Sequence, residues 1–286
     1  MPNLFNVPIS ITSKDEALAT VSLWLTERTK DELHPSSFGL KLITTPNPEI
    51  IVAAQTDPEF LKALQAADLA IPDGVGVVWA IRLLGLKAKG QGTREKSSTL
   101  RPQPLSLSPS YISLLSGLDL MESLIAEAAG KGWKVLLLGG KPGIAKKVSA
   151  GLYRKFRIQN SELRIKSISG PQNIFTISSL DNDSLVSEIN SFAPDLLFVA
   201  FGHGKQEKWL NVNRHRLNAG VAMGVGGALD QIADPGLRPP AYINSIGLGW
   251  LYRLFRQPWR WRRQLALVKF AGMVIKLKAQ ISKIKA

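Results

Sequence analysis

The sequence predicts an α/β fold: a Rossmann-like, mainly parallel sheet flanked by helices, followed by a basic helical segment. Three observations carry this. Short apolar runs of strand length, such as KVLLLGG and DLLFVAFG, alternate with longer stretches whose apolar residues recur at helical spacing. Apolar strands in that rhythm fit a sheet covered by helices on both faces. Several of the runs also end in glycine-bearing turns that open a helix, and ligands of such sheets sit beyond the carboxyl ends of the strands.

Taken in order, KDEALATVSLWLTER (residues 14–28) reads as the first helix, with Ser13 as its N-cap. FGLKLIT reads as a strand closed by Pro46 and Asn47. PEIIVAAQ and PEFLKALQAA then read as two helices, each with proline in its first turn, where a missing N–H costs nothing. LAIP is a short apolar strand leading through Asp73-Gly74 into a helix that begins near Val75. Between Gly85 and Leu115 the composition turns to Ser, Pro, Gly and charge without an apolar period, so residues 87–113 read as a flexible insertion. GLDLMESLIAEAAGKG, KVLLLGG, KPGIAKKVSAGLYRKF and LRIKSISG restore the helix and strand alternation. DLLFVAFG, GKQEKWLNVNRHRL and VAMGVGGALDQIA extend it.

The chain has 286 residues, enough for one large domain or two small ones, and its 45% hydrophobic content supports a core. With no cysteine, a disulfide framework, a thiolate nucleophile and cysteine-ligated metal are excluded. The N-terminal residues lack the features of a secretory signal, and no window spans a bilayer as an uninterrupted apolar run. Net charge is +14, and it is unevenly placed. Residues 1–234 hold 25 basic against 22 acidic side chains, whereas residues 235–286 hold 11 basic and none acidic. There WLYRLFRQPWRWRR interleaves tryptophan with arginine, the composition of a segment that lies on an anionic membrane surface. Nucleic acid is a rival partner for such a stretch, and the near-neutral first 234 residues argue against it. The expected division is a core over 1–249 and a membrane-associating appendage over 250–286.

Three strand ends could meet a nucleotide. LLLGGKPG would expose backbone N–H groups to a phosphate, although a ligand-free turn fits it equally well. FGHGKQEKW places Gln206 in the first turn of a helix, and VGGALDQIA offers Asp230 as an acceptor for a ribose or base. Asp73 has a plain reading as a tight-turn residue and a functional one as a general base at a strand end. Asn47 reads either as a helix N-cap or, with Thr45, as a hydrogen-bonding group lining the same cleft. The three histidines show no metal-binding spacing, His203 reads as a loop residue, and Asp181-Asn182-Asp183 reads as a turn or helix cap.

Together, LITTPNPEIIVAAQTDPEFLKALQAADLAIPDGVGVVWA, GLDLMESLI, KVLLLGGKPGIAKKV, DLLFVAFGHGKQEKWL, VAMGVGGALD and LGWLYRLFRQPWRWRR resemble the WecG/TagA/CpsF glycosyltransferases, glycosyltransferase family 26. The resemblance implies transfer of an N-acetylmannosamine-type sugar from a UDP-sugar to a polyprenyl-pyrophosphate-linked sugar, with inversion, without a metal or other cofactor, in cell-surface polymer synthesis. It implies a cytoplasmic enzyme held peripherally on the inner face of the cell membrane, and it leaves a homo-oligomer open. It makes Asp73 the base, sets Thr45 and Asn47 beside it, and brings Gln206 and Asp230 to the nucleotide. Arg253, Arg260 and Arg263 would hold the diphosphate, a role that guanidinium groups can fill in place of a metal. The chain departs from the family pattern at Leu114, where an arginine is usual, at Gly204 in place of proline, and at Gly249 in place of glutamate. Arg94 or Arg101 could substitute for the missing arginine. A weakened homologue that binds without turnover is therefore the rival reading from another class.

Overall fold

The computed structural model describes residues 1–30, 39–86, 115–155, 164–171, 173–240, 242–243, 248–258 and 261–285. The expected insertion, with Arg94, Arg101 and Leu114, lies outside these residues, as does Arg260. A two-stranded antiparallel ribbon, β1 (Asn3–Leu4) and β2 (Val7–Pro8), precedes a parallel sheet of six strands. The sheet is formed by β3 (Lys41–Thr44), β4 (Leu69–Ala70), β5 (Lys134–Gly139), β6 (Arg164–Ile168), β7 (Leu196–Ala200) and β8 (Val221–Gly224), in the order β4-β3-β8-β7-β5-β6. All of its pairings are parallel, as the apolar strands predict.

Between the strands run α1 (Lys14–Lys30), α2 (Pro48–Ala54), α3 (Pro58–Gln65), α4 (Val75–Leu84), α5 (Gly117–Lys131), α6 (Ile144–Lys155), α7 (Ser179–Phe192) and α8 (Lys205–Asn213), and α9 (Ala228–Ala233) follows β8. Successive residues of β5 and β7 serve opposite faces. Val135, Leu137 and Phe198 pack with Val21 of α1, Leu124 of α5, Val148 of α6 and Leu229 of α9. Leu136, Leu138, Leu197 and Val199 pack with Ile189 of α7 and Trp209 and Leu210 of α8. Adjacent strands β5 and β7 thus send the chain to opposite faces, the topology that leaves a ligand crevice at the carboxyl edge.

The LDNDS segment belongs to α7 rather than to an isolated turn. Ser178 caps it, accepting a hydrogen bond from Asp181 N–H at 3.1 Å and donating one to the Asp181 carboxylate at 2.7 Å. The serine oxygen thus satisfies one helix-end N–H that otherwise lacks a partner, and Leu185, Val186 and Ile189 then supply the buried stripe.

Two helices close the chain, α10 (Gly249–Arg256) and α11 (Trp261–Lys285). The second packs on α2 and α4, where Phe270 and Val274 are fully buried among Ile51, Phe60 and Val77. Phe5 of the ribbon meets Phe270 edge-on at 6.2 Å. Burying Phe270 contributes roughly 1.5–3 kcal/mol, so α11 is anchored to the α/β unit. Its other faces leave Leu265, Val268, Ile275 and Ile284 exposed. Among the described residues no helix is long and apolar enough to cross a membrane.

Candidate active site

Thr45, Asn47 and Asp73 come together at the carboxyl ends of β3 and β4. Asp73 N–H donates to the Pro46 carbonyl at 2.9 Å, tying the two strand-end turns to each other. Asn47 fills the helix-capping reading: its Oδ1 accepts from Ile50 N–H at 2.9 Å and starts α2. The start of α5 closes in from a third side, where a side chain on Gly117 would lie 3.2 Å from the Thr45 hydroxyl. Gly74, at φ +87°, leads from Asp73 into α4, and the close approach of Pro48 leaves no room for a side chain on Gly76.

The Asp73 carboxyl is held above the ordinary aspartate pKa, first by burial and then by the nearby charge of Asp119. Arg253 of α10 and the Gly117 N–H pull in the opposite direction. Asp119 is itself bridged by Arg238 at 2.7 Å, and Arg238 also reaches Glu122 at 3.0 Å. The first turn of α5 is thereby tied to the segment that leads into α10.

Arg263, in the first turn of α11, reaches Glu49 of α2, its Nε 3.4 Å from Oε1. His203, after β7, approaches the same oxygen at 3.3 Å. The arginine-bearing helices therefore approach this cluster of strand-end turns at two points, Arg253 near Asp73 and Arg263 at Glu49.

Gln206 and Asp230 lie across the sheet edge, after β7 and β8. Gln206 is buried, with Oε1 accepting from Gly226 N–H at 3.1 Å and Nε2 donating to Glu207 at 2.9 Å. Asp230 stands in the first turn of α9, half-buried beside the Gly227 turn. The structure thus brings Thr45, Asn47, Asp73 and Arg253 into one group and Gln206 with the Gly226 turn into a second. Sequence reasoning misses Glu207, Gly117 and Arg238. Glu207 was legible as the third helical residue after a glycine cap, but nothing local shows that it is buried.

The model of the Glycosyl transferase WecG/TagA/CpsF family matches residues 2–96 and 108–284. The chain belongs to this family. Among its relatives, one from Bacillus subtilis (strain 168) is 29% identical over 82% of this chain and 79% of its own length. Another, from Bacillus spizizenii, is 30% identical over 82% and 78%, and one from Staphylococcus aureus (strain MW2) is 27% identical over 93% and 92%. All three are named N-acetylglucosaminyldiphosphoundecaprenol N-acetyl-beta-D-mannosaminyltransferase. As a WecG/TagA/CpsF member the chain is a glycosyltransferase with a Rossmann-like parallel sheet, and the names of its relatives fit cell-envelope polymer synthesis.

Proposed function

We propose that this glycosyltransferase moves an N-acetylmannosamine-type sugar from a UDP-sugar to a polyprenyl-diphosphate-linked acceptor, with inversion, while lying on the inner face of the cell membrane. The observation that carries the reading is Asp73: a part-buried carboxyl at a strand end, held by the Gly117 N–H and faced by Arg253. In its ionised form Asp73 takes the proton of the acceptor hydroxyl as that oxygen attacks the anomeric carbon of the donor sugar. The bond from that carbon to the diphosphate oxygen breaks, and UDP departs. A single in-line displacement inverts the anomeric centre. Arg253 and Arg263, with Arg260 from the same segment, offset the charge that develops on the diphosphate.

No metal is given a role, so added chelator is expected to leave the transfer rate unchanged. The membrane role of α11 is supported by its exposed Leu265, Val268, Ile275 and Ile284 beside lysines. Binding is expected to anionic phospholipid vesicles, to weaken with added salt, and to be weak on neutral ones; equal binding to both would oppose the electrostatic part of this reading.

The decisive experiment measures transfer from a panel of UDP-sugars to a synthetic polyprenyl-diphosphate-linked N-acetylglucosamine by the wild type and Asp73→Asn. Loss of a general base is expected to lower the rate by about 10²–10⁴-fold. Absence of transfer by the wild type, with UDP still bound, would favour the binding homologue raised by Leu114. Unchanged transfer by the variant would remove Asp73 from the chemistry.

A further inference from the structure

Glu207 is buried, 5% exposed, in the first turn of α8, and it makes two contacts through two different oxygens. Oε2 accepts from Gly204 N–H at 2.7 Å, and Oε1 accepts from Gln206 Nε2 at 2.9 Å. The Gln206 amide is then oriented so that its own oxygen accepts from Gly226 N–H. A chain of three hydrogen bonds thus joins the turn after β7 to the turn after β8. Both turns use glycine at positive φ, +79° at Gly204 and +50° at Gly226. Gly224 makes room for the link, because a side chain there would lie 2.5 Å from Gln206 Nε2.

We infer that Glu207 is a positioning residue of the donor site, fixing the Gln206 amide and through it the two glycine turns on which the nucleotide would rest. This inference rests on the donor reading proposed above. An ordinary third-position glutamate at a helix start caps one N–H from the surface. Here the carboxylate faces two donors, and only an acceptor on both oxygens satisfies them. Burial raises the Glu207 pKa to about 7 and these donors offset it in part, so an amide or an apolar side chain would be easier to bury at this position than a glutamate.

The donor count yields a discriminating test. In Glu207→Gln one oxygen can still accept from Gly204, but the new amide N–H groups then face those of Gln206. If Gln206 rotates to accept them, its nitrogen faces Gly226 N–H instead. In the exchanged pair, Gln206→Glu combined with Glu207→Gln, every donor again meets an acceptor. The Gly204 N–H meets the amide oxygen now at position 207. The amide N–H groups there meet one oxygen of the carboxylate now at position 206, and the Gly226 N–H meets the other.

Full-length wild type, the single variant and the exchanged pair would be compared by hydrogen exchange at the Gly204 and Gly226 amides and by calorimetric titration with UDP alone. The single variant is expected to lose at least tenfold in Gly226 protection, although that residue lies on another strand end, and about tenfold in UDP affinity. The exchanged pair is expected to regain the Gly226 protection. Wild-type Gly226 protection in the single variant, no recovery in the exchanged pair, or failure of both variants to fold would overturn the inference and leave Glu207 a structural residue only. If the wild type binds no UDP, the donor reading fails, and the inference about the donor site falls with it. The amide protection then reports separately whether the hydrogen-bonded link itself exists.

Discussion

Asp73 stands between opposed influences, and their balance sets how it behaves. Burial and Asp119 raise its pKa, while Arg253 and the Gly117 N–H lower it. The folded protein therefore holds the Asp73 proton more tightly than the unfolded chain does. This contribution to stability is complete below the ordinary aspartate value of about 3.9 and is lost as pH rises through the higher folded value. Above that folded value the ionised carboxylate costs stability. Asp73→Asn is accordingly expected to melt at or above the wild-type temperature while transfer collapses, an outcome that thermal denaturation and activity assays check together. Arg253→Gln removes the cation that favours ionisation, so the acid limb of the kcat/KM profile is expected to move to higher pH. A limb that stays in place would show that Arg253 does not act on Asp73.

At the level of elements, α11 depends on apolar anchoring more than on its charges. Phe270 is 2% exposed and Val274 is fully buried. Phe270→Ala is expected to cost about 3–5 kcal/mol, measured by chemical denaturation, and to loosen the helix that carries Arg263. The Arg263 to Glu49 ion pair is half-exposed, so Glu49→Gln is expected to change stability by less than about 1 kcal/mol. The same measurement on both variants separates packing from charge. Elements with strong local signals were legible in the sequence: α2 and α3 from Asn47-Pro48 and Asp57-Pro58, and β5 and β7 from their apolar runs. Helix α7 was not, because its opening LDNDS is polar and its capping serine precedes a sparse stripe of Leu185, Val186 and Ile189. The β1 and β2 ribbon was hidden for a related reason. Its two-residue strands are too short to show a period, and its turn uses Phe5 and Asn6 at positive φ in place of the glycine that usually marks one.

Across the whole molecule, what local chemistry determined and what the fold decided divide cleanly. Composition and pattern determined the class: a parallel sheet with helices on both faces, no cysteine chemistry, and an acid-free basic end at residues 235–286. Motif content determined the family and the candidate base. These properties are local, because a strand's apolar run, a helix's cap and a glycine turn depend on neighbours a few residues away. Only tertiary structure decided that α11 packs on α2 and α4, that Gly117 approaches Thr45 while its N–H serves Asp73, and that Gln206 spans from α8 to the turn after β8. The physical reason is sequence distance. Gly117 is far along the chain from Thr45, and Arg253 is farther still from Asp73. Contacts of that separation arise only when the strand order β4-β3-β8-β7-β5-β6 gathers the loops at one edge. Burial follows the same rule: whether Glu207 is a surface cap or a buried carboxylate depends on the strands packed beneath it, which its own helix does not encode.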